Sequence, residues 1–359
     1  MENARIVNYV RCNDSIWFTD DIYGGLYSID ILNSSGLTEC HITPSDYLMR
    51  GNYKVVEMIN TEDAILTIPL DMHNPMRIYD KKSKSESIKK IDGINHIIEG
   101  AIYNENRDEI ILIPALPSDP LCAIHVDDYT VRTIKNRLLE DSLDGEIWEH
   151  NSINSFAITV SCTPFMIKMN MNDASYKTIK LKDGERIKSA FFNEDIWVLP
   201  FNGKHIKKYD EEGNLNNTVD ISGYGVLDDY VRIISIKNRV ILIPKNGACL
   251  LIYNPQVDSM LSVDLSEEKM INRYSNHNGN DIAYWQFYIE EATICLLPLA
   301  RKMIKYNLEN DNYWFEDIYS VSDPDIDDWA SQKMKIDINE YGMVKEESKN
   351  DLKTFLSII

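Results

Sequence analysis

The sequence predicts an all-β chain built from seven copies of one four-stranded unit, and three observations carry that prediction. A β-branched run ending in proline recurs: AILTIP to Pro69, IILIP to Pro114, DIWVLP to Pro200, VILIP to Pro244 and ICLLP to Pro298. Two further runs, SIWFT to Thr19 and AITVS to Ser161, fill the same place without the proline. After each one a second apolar run ends on Asp30, Asp80, Asp127, Asn170, Asp210, Asn254 or Asn307, the residue types that cap their own backbone at the first position of a tight turn. Upstream of each lies a further run ending near an Asn or an acidic residue: ARIVNYVRCN, KVVEMIN, HIIEGAIYN, NSINSF, RIKSAFFN, VRIISIKN and AYWQFYIEE.

Each unit therefore reads as four short strands in chain order, the fourth being the polar run after the Asp or Asn turn. The proline has a mechanical reason: without an N–H it cannot donate to a ladder, so it marks where the second strand stops pairing and the chain turns to the third. Such sheets, taken singly, could not bury both faces, and repetition at roughly 40 to 50 residues lets each cover its neighbours around a central axis. On these residues the chain resembles the seven-bladed β-propeller superfamily, in the broad manner of Kelch or YncE-like proteins. The WD dipeptide and its GH partner are absent, and the Kelch double glycine occurs once, at Gly24 and Gly25. The expected organisation is a propeller over 1–318, with a first blade over 5–42 and a last over 282–318, closed without a strand swapped across the seam. Residues 319–359 break the repeat: an acidic turn, VSDPDIDDW, precedes a C-terminal helix whose Leu352, Phe355, Leu356 and Ile359 fall at helical spacing.

Composition narrows the function. In 359 residues, 37 Lys and Arg stand against 57 Asp and Glu, a net charge of −20, and a surface this acidic repels phosphate, so neither nucleic acid nor an anionic membrane is an expected partner. The N-terminal stretch has Glu2, Arg5 and Asn8 where an export signal needs apolar residues, and no run approaches a membrane span, which predicts a cytoplasmic protein. The usage of Ile, Asn and Lys points to a low-GC bacterium. The six cysteines form no CxxC pair and no zinc spacing, so free, buried thiols are expected, Cys249 and Cys295 among them.

Catalytic signatures are missing. HExxH, GxSxG and a P-loop are absent, and Gly223 and Gly225 lack the third glycine of a nucleotide fingerprint. Asp323, Asp325 and Asp327 imitate a calcium loop, but Asp328 and Met334 stand where it needs Gly and Glu. SLDGEIW, residues 142–148, falls one residue short of a sialidase Asp-box. No cofactor and no metal is expected, and the lysine-rich stretch 80–90 reads as a solvated outer strand.

The candidate site then follows from fold geometry. Loops joining second to third strands and loops joining one blade to the next open on one face, where propellers bind ligands. The long blade-to-blade loops, 43–52, 135–150, 221–230 and 265–282, hold Tyr47, Arg50, Arg137, His150, Tyr224, Arg273, Tyr274 and His277, and His73 comes from a second-to-third-strand loop. Trp148 and Tyr230 start apolar runs and read as blade packing. Two functions fit such a face. One is a non-enzymatic scaffold presenting it to a protein or carbohydrate partner, with the C-terminal helix as a second contact. The alternative is a glycan-active hydrolase or lyase using His and Tyr as acid and base with Arg holding a carboxylate. The absence of an export signal favours the scaffold.

Overall fold

The computed structural model describes residues 6–12, 15–20, 26–30, 37–41, 55–137, 147–151, 156–160, 163–170, 175–192, 195–224, 230–244, 249–265, 286–297 and 302–317. Among these, the strands form seven four-stranded antiparallel sheets, each a meander in chain order. The first holds β1 Ile6–Cys12, β2 Ser15–Asp20, β3 Leu26–Asp30 and β4 Leu37–His41. The second holds β5 Val55–Asn60, β6 Ala64–Pro69, β7 Met76–Asp80 and β8 Ser85–Lys89. The third holds β9 Ile98–Asn104, β10 Glu109–Pro114, β11 Leu121–His125 and β12 Val131–Lys135. The fourth holds β13 Ile147–Asn151, β14 Phe156–Val160, β15 Phe165–Met169 and β16 Tyr176–Lys180. The fifth holds β17 Ile187–Phe192, β18 Ile196–Pro200, β19 His205–Tyr209 and β20 Leu215–Asp220. The sixth holds β21 Tyr230–Ile236, β22 Arg239–Pro244, β23 Cys249–Asn254 and β24 Ser259–Asp264. The seventh holds β25 Gln286–Glu290, β26 Thr293–Leu297, β27 Lys302–Asn307 and β28 Tyr313–Asp317.

The second strands explain why the sheets stack. Side chains alternate across a strand, so a run that is apolar at every position must be covered on both faces. In β10, Ile110 and Leu112 pack into a core shared with Leu66 and Ile68 of the second sheet, whereas Ile111 and Ile113 pack with Ile158 and Ile167 of the fourth. In β18, Ile196 and Val198 meet Met166 and Ile179 of the fourth sheet, while Trp197 and Leu199 face the sixth-sheet core around Leu242 and Leu251. Every consecutive pair of sheets shares such a core, from Trp17 with Ile65 and Tyr79 at the first seam to Ile294, Leu296 and Ile304 against Leu250 and Ile252 at the last. Six sheets in succession also bring their innermost strands side by side, β1, β5, β9, β13, β17 and β21. The seventh joins them through Ile294, Leu296, Ile304 and Tyr306 of its second and third strands, with Phe287 and Phe315 of its first and fourth packed against the same core. An all-β propeller with four-stranded antiparallel blades is thus the architecture.

Four of the five terminal prolines lie where expected and mark a feature the pattern did not reveal; Pro298 lies outside the described residues. Pro69, Pro114, Pro200 and Pro244 each end their strand opposite the first residue of the innermost strand, Val55, Ile98, Ile187 and Tyr230. One residue is then skipped in the register: Val56, Glu99, Lys188 or Val231. The first and fourth sheets do the same without proline, skipping Asn8 opposite Thr19 and Trp148 opposite Val160. A bulge here bends and twists the innermost strand as it enters the blade.

Three expectations need correction. His150 and Trp148 lie within β13, not on a loop, because the innermost strand of the fourth unit is Ile147–Asn151 and not the NSINSF run. His150 pairs with Ile158 in the ladder, and the connection shrinks to residues 136–146. The turn after β11 is capped by Asp128, whose Oδ1 accepts from the Thr130 N–H and hydroxyl, rather than by Asp127. The only helical element among the described residues is a 3-10 turn, Ser222–Tyr224, so the predicted C-terminal helical tail has no counterpart there; residues 318–359 lie outside the described residues. Other readings hold: Tyr230 is buried, β8 is exposed apart from Glu86, and Cys12, Cys122, Cys249 and Cys295 form no disulfide; the expected burial holds for Cys122 and Cys295, whereas Cys12 and Cys249 are only partly buried.

Candidate interaction face

The two ends of the sheets differ. At one end lie the hairpins joining first to second and third to fourth strands, and they are short and locked. Among the described residues, all eight non-glycine residues with positive φ fall in them: Lys84, Asp108, Tyr129, Lys237, Asn238, Asp258, Glu291 and Asp311. Three share one device, written YNENRD, YNPQVD and YNLEND in the sequence. The hydroxyls of Tyr103 and Tyr253 donate to Asp108 and Asp258 at 2.7 and 2.9 Å, and that of Tyr306 donates to Asp311. Burial and the facing carboxylate push these phenols up, Tyr253 to about 12. Also at this end, Glu109 is gripped by Arg132 at 2.6 Å through each oxygen and by Arg107 at 3.0 Å, which lowers its carboxyl to about 2.

At the opposite end run the second-to-third-strand loops and the linkers between sheets, and here the backbone is stitched in a repeated way. At the seam of the second and third sheets, the Ile98 N–H donates to Leu70 O at 2.8 Å and the Ala115 N–H to Ile97 O at 2.9 Å. At the seam of the fourth and fifth, the Ile187 N–H donates to Thr163 O and the Phe201 N–H to Arg186 O, both at 2.9 Å. Each linker is thus sewn between the loop of the sheet behind it and the loop of the sheet ahead. The linkers are anchored at their start by a buried aliphatic residue just past the outer strand, Ile91, Leu181, Ile221 and Leu265. The N–H groups of Leu181 and Ile221 bond Pro164 O and Lys204 O. The motifs IKKID, IKLKD, VDISG and VDLSE carry this signal, which sequence reasoning overlooked.

On this face the predicted site residues separate. His73, 72% exposed, sits in the loop after β6, with Nδ1 2.7 Å from Asp71 Oδ1 and its backbone N–H donating to the same oxygen at 2.9 Å. Those bonds hold the Asp71 carboxyl below its usual range against a smaller opposing effect of burial. Arg137 is exposed at the start of the linker after β12. Tyr224 is exposed in the 3-10 turn after β20, and its carbonyl accepts from the buried Tyr230 hydroxyl at 3.1 Å. The three belong to three different seams. Tyr47, Arg50, Arg273, Tyr274 and His277 lie outside the described residues.

Around His73 the structure gathers residues that the sequence reading passed over. Asp71 bridges to Ile97, and Ile97 is bonded to Ala115, which brings the 70–75, 90–97 and 115–120 segments together. Ile97 and Leu116 are exposed, 44% and 49%, on segments joined by the backbone bond from Ala115 to Ile97. His96 is half-buried with its Nε2 shut off from solvent and unpartnered; burial lowers its pKa, and the nearby Asp119 pulls the other way.

Among the described residues no three His, Cys, Asp or Glu side chains group as a metal site would require, and no helix is long and apolar enough to cross a membrane. No family model and no curated protein matches the sequence. Solved structures do match in fold. YCF48 bound to D1 peptide superposes with a TM-score of 0.61 at 10% identity, covering 85% of this chain and 94% of that one. The computationally designed Ika8 protein gives 0.57 at 11% identity, covering 88% of each chain. The Neurospora crassa Pan2 WD40 domain gives 0.51 at 8% identity, over 89% of this chain and 90% of that one. At these identities the likeness establishes the β-propeller class and no more.

Proposed function

We propose that the chain is a closed seven-bladed propeller acting as a non-catalytic scaffold, and that it engages a protein partner through the face built by the linkers and the second-to-third-strand loops. The observation that carries this reading is the difference between the two ends. The hairpin end uses its polar groups on itself, in turn caps and Tyr–Asp locks, and leaves little chemistry to offer. The linker end holds the long connections, with β4 ending at His41 and β5 starting at Val55, and β24 ending at Asp264 and β25 starting at Gln286. It also presents Ile97, Leu116, His73 and Tyr224 to solvent on a rigid stitched frame, which suits a surface for a partner. One solved neighbour was captured with a peptide, in keeping with such a use of the fold.

The test is photo-crosslinking in the native cell. A benzophenone side chain at Arg137 or Tyr224 is expected to trap a protein adduct, while the same group at Lys82 or Gln256 of the hairpin end traps none. Adducts from the hairpin end alone overturn the proposal.

A further inference from the structure

We infer that Asn202, in the loop between β18 and β19, is a site of spontaneous conversion to isoaspartate, a covalent modification that needs no reactant but water. The inference is independent of the partner-binding reading above. Asparagine is a chemically labile side chain, and three observations single out this one. The next residue is Gly203, which has no β-carbon to shield its backbone nitrogen from the neighbouring side chain, and its φ of +120° is a conformation that favours glycine. Both residues are exposed, and among the described residues neither the Asn202 side-chain amide nor the Gly203 N–H takes part in a hydrogen bond. The loop is pinned on either side of them: the Phe201 N–H donates to Arg186 O at 2.9 Å, and Lys204 O accepts from the Ile221 N–H at 2.8 Å. The Asn202–Gly203 peptide is therefore an unbonded link between two fixed points.

Two neighbouring positions show what is particular to this one. Asp183 also precedes a glycine of positive φ, but the Gly184 N–H is committed to Leu181 O at 3.1 Å and the Asp183 carboxylate to Lys207 and Tyr209. Asn214, at the hairpin end of the fifth sheet, donates from its side-chain amide to Asp210 Oδ2 at 2.7 Å and is followed by leucine, whose side chain crowds the approach. At Asn202 neither restraint applies.

The chemistry balances with water alone. The Gly203 nitrogen gives up its proton to hydroxide and attacks Cγ of Asn202. The new C–N bond closes a succinimide ring, and the side-chain nitrogen leaves as ammonia, taking a proton from water and returning the hydroxide. Water then opens the ring. Breaking the bond between the Gly203 nitrogen and the main-chain carbonyl carbon of residue 202 leaves the chain running through the side chain, as isoaspartate; breaking the bond to Cγ gives ordinary aspartate. One water is consumed, one ammonia is released, and nothing is oxidised or reduced. Either product sets a carboxylate between Phe201 and Lys204, and isoaspartate also lengthens the main chain by a methylene between the two pins.

The test incubates the full chain in mildly alkaline buffer and maps it by proteolysis and mass spectrometry. The fragment holding Asn202 is expected to split into two products, both with the mass shift of an amide turned acid, and one of them accepting a methyl group from an isoaspartate-specific carboxyl methyltransferase. The rate should rise with pH and stay within about tenfold of that of a free peptide spanning residues 199–206. It should fall at least tenfold in Asn202→Gln, whose longer side chain must close a larger ring, with the melting temperature unchanged. Asn214 should stay intact and Asp183 should not isomerise. An unconverted Asn202, a folded-state rate further below that of the peptide, or equal conversion at Asn202 and Asn214 overturns the inference. Aspartate without isoaspartate overturns it too, since that outcome means direct hydrolysis with no ring.

Discussion

Gly213 and Lys180 meet backbone against backbone: a β-carbon on Gly213 would stand 2.1 Å from the Lys180 carbonyl oxygen. Gly213 turns the hairpin between β19 and β20 at φ +78°, and its carbonyl accepts from the Lys182 N–H at 2.9 Å. The contact joins the fifth sheet to the strand end of the fourth. It is reinforced where Asp183 of the linker takes bonds from Lys207 and Tyr209 at 3.0 and 2.9 Å. Burial is the largest single influence and works to raise the Asp183 carboxyl, but these two bonds, the Glu185 N–H and the Lys207 charge together hold it low.

Gly213→Ala should therefore be costly on two counts, a left-handed backbone and a collision with main chain that cannot move aside. A loss of about 2–4 kcal/mol is expected from denaturant unfolding. Gly223→Ala is the contrast, since nothing lies within 4 Å of its β-carbon and its φ is not positive, and it should stay within about 0.5 kcal/mol of wild type. Similar losses for both would show that the seam does not depend on this approach.

Glu109 predicts an acid limb. Its folded-state pKa lies at about 2, below the 4.5 of an unperturbed glutamate, with the Arg132 bonds as the main cause. Protonation is thus favoured by unfolding: the stability contributed is complete above pH 4.5 and is lost as pH falls toward 2. Its size is up to about 3 kcal/mol, as the side chain is only 7% exposed. Glu109→Gln should be destabilised at pH 7, with the gap to wild type narrowing below about pH 4.5 and closing only as pH falls to about 2, in urea titrations at fixed ionic strength. A constant gap across that range would assign the cost to packing and not to charge.

How much of this was legible in the sequence follows from where each constraint acts. The second strands announce themselves because double-sided burial demands an unbroken apolar run, and the prolines end them because the bulged entry of the innermost strand needs no N–H opposite it. The Asp and Asn turn positions were readable for the same local reason, as Asp210 shows by accepting from the Asn214 N–H at 2.8 Å. His150 was misplaced because a half-polar innermost strand, IWEHN, lacks the periodicity that separates strand from loop. The Tyr–Asp locks were written in YNxxxD but bear on turn geometry rather than burial. The seam of Asp71, His96, Ile97, Leu116 and Asp119 was hidden altogether, since its members lie on three segments that only the stitching of consecutive sheets brings together.

The seventh sheet supplies the last prediction, since an arginine of the sixth sheet reaches across to it. Arg239 opens β22, is 8% exposed, and reaches across the seam to Asp311 in the hairpin between β27 and β28, with Nε 2.8 Å from Oδ1 and Nη2 3.2 Å from Oδ2. The same carboxylate accepts from the Tyr306 hydroxyl, and these bonds hold it below the usual carboxylate range. Arg239 is nearly buried while the Asp311 side chain is 48% exposed, and the two-pronged geometry still couples them more strongly than a single-point surface pair. Arg239→Ala and Asp311→Ala should each cost about 2–3 kcal/mol, and the double variant should cost clearly less than their sum, a coupling of at least about 1 kcal/mol. Hydrogen exchange locates the effect: in either single variant, amides of β26 and β27 should lose protection ahead of those of β10 and β18. Additive losses, or exchange that rises evenly through all the sheets, would mean that the seventh sheet is held by its apolar core of Ile294, Leu296 and Ile304 alone and that this ion pair does not fasten it.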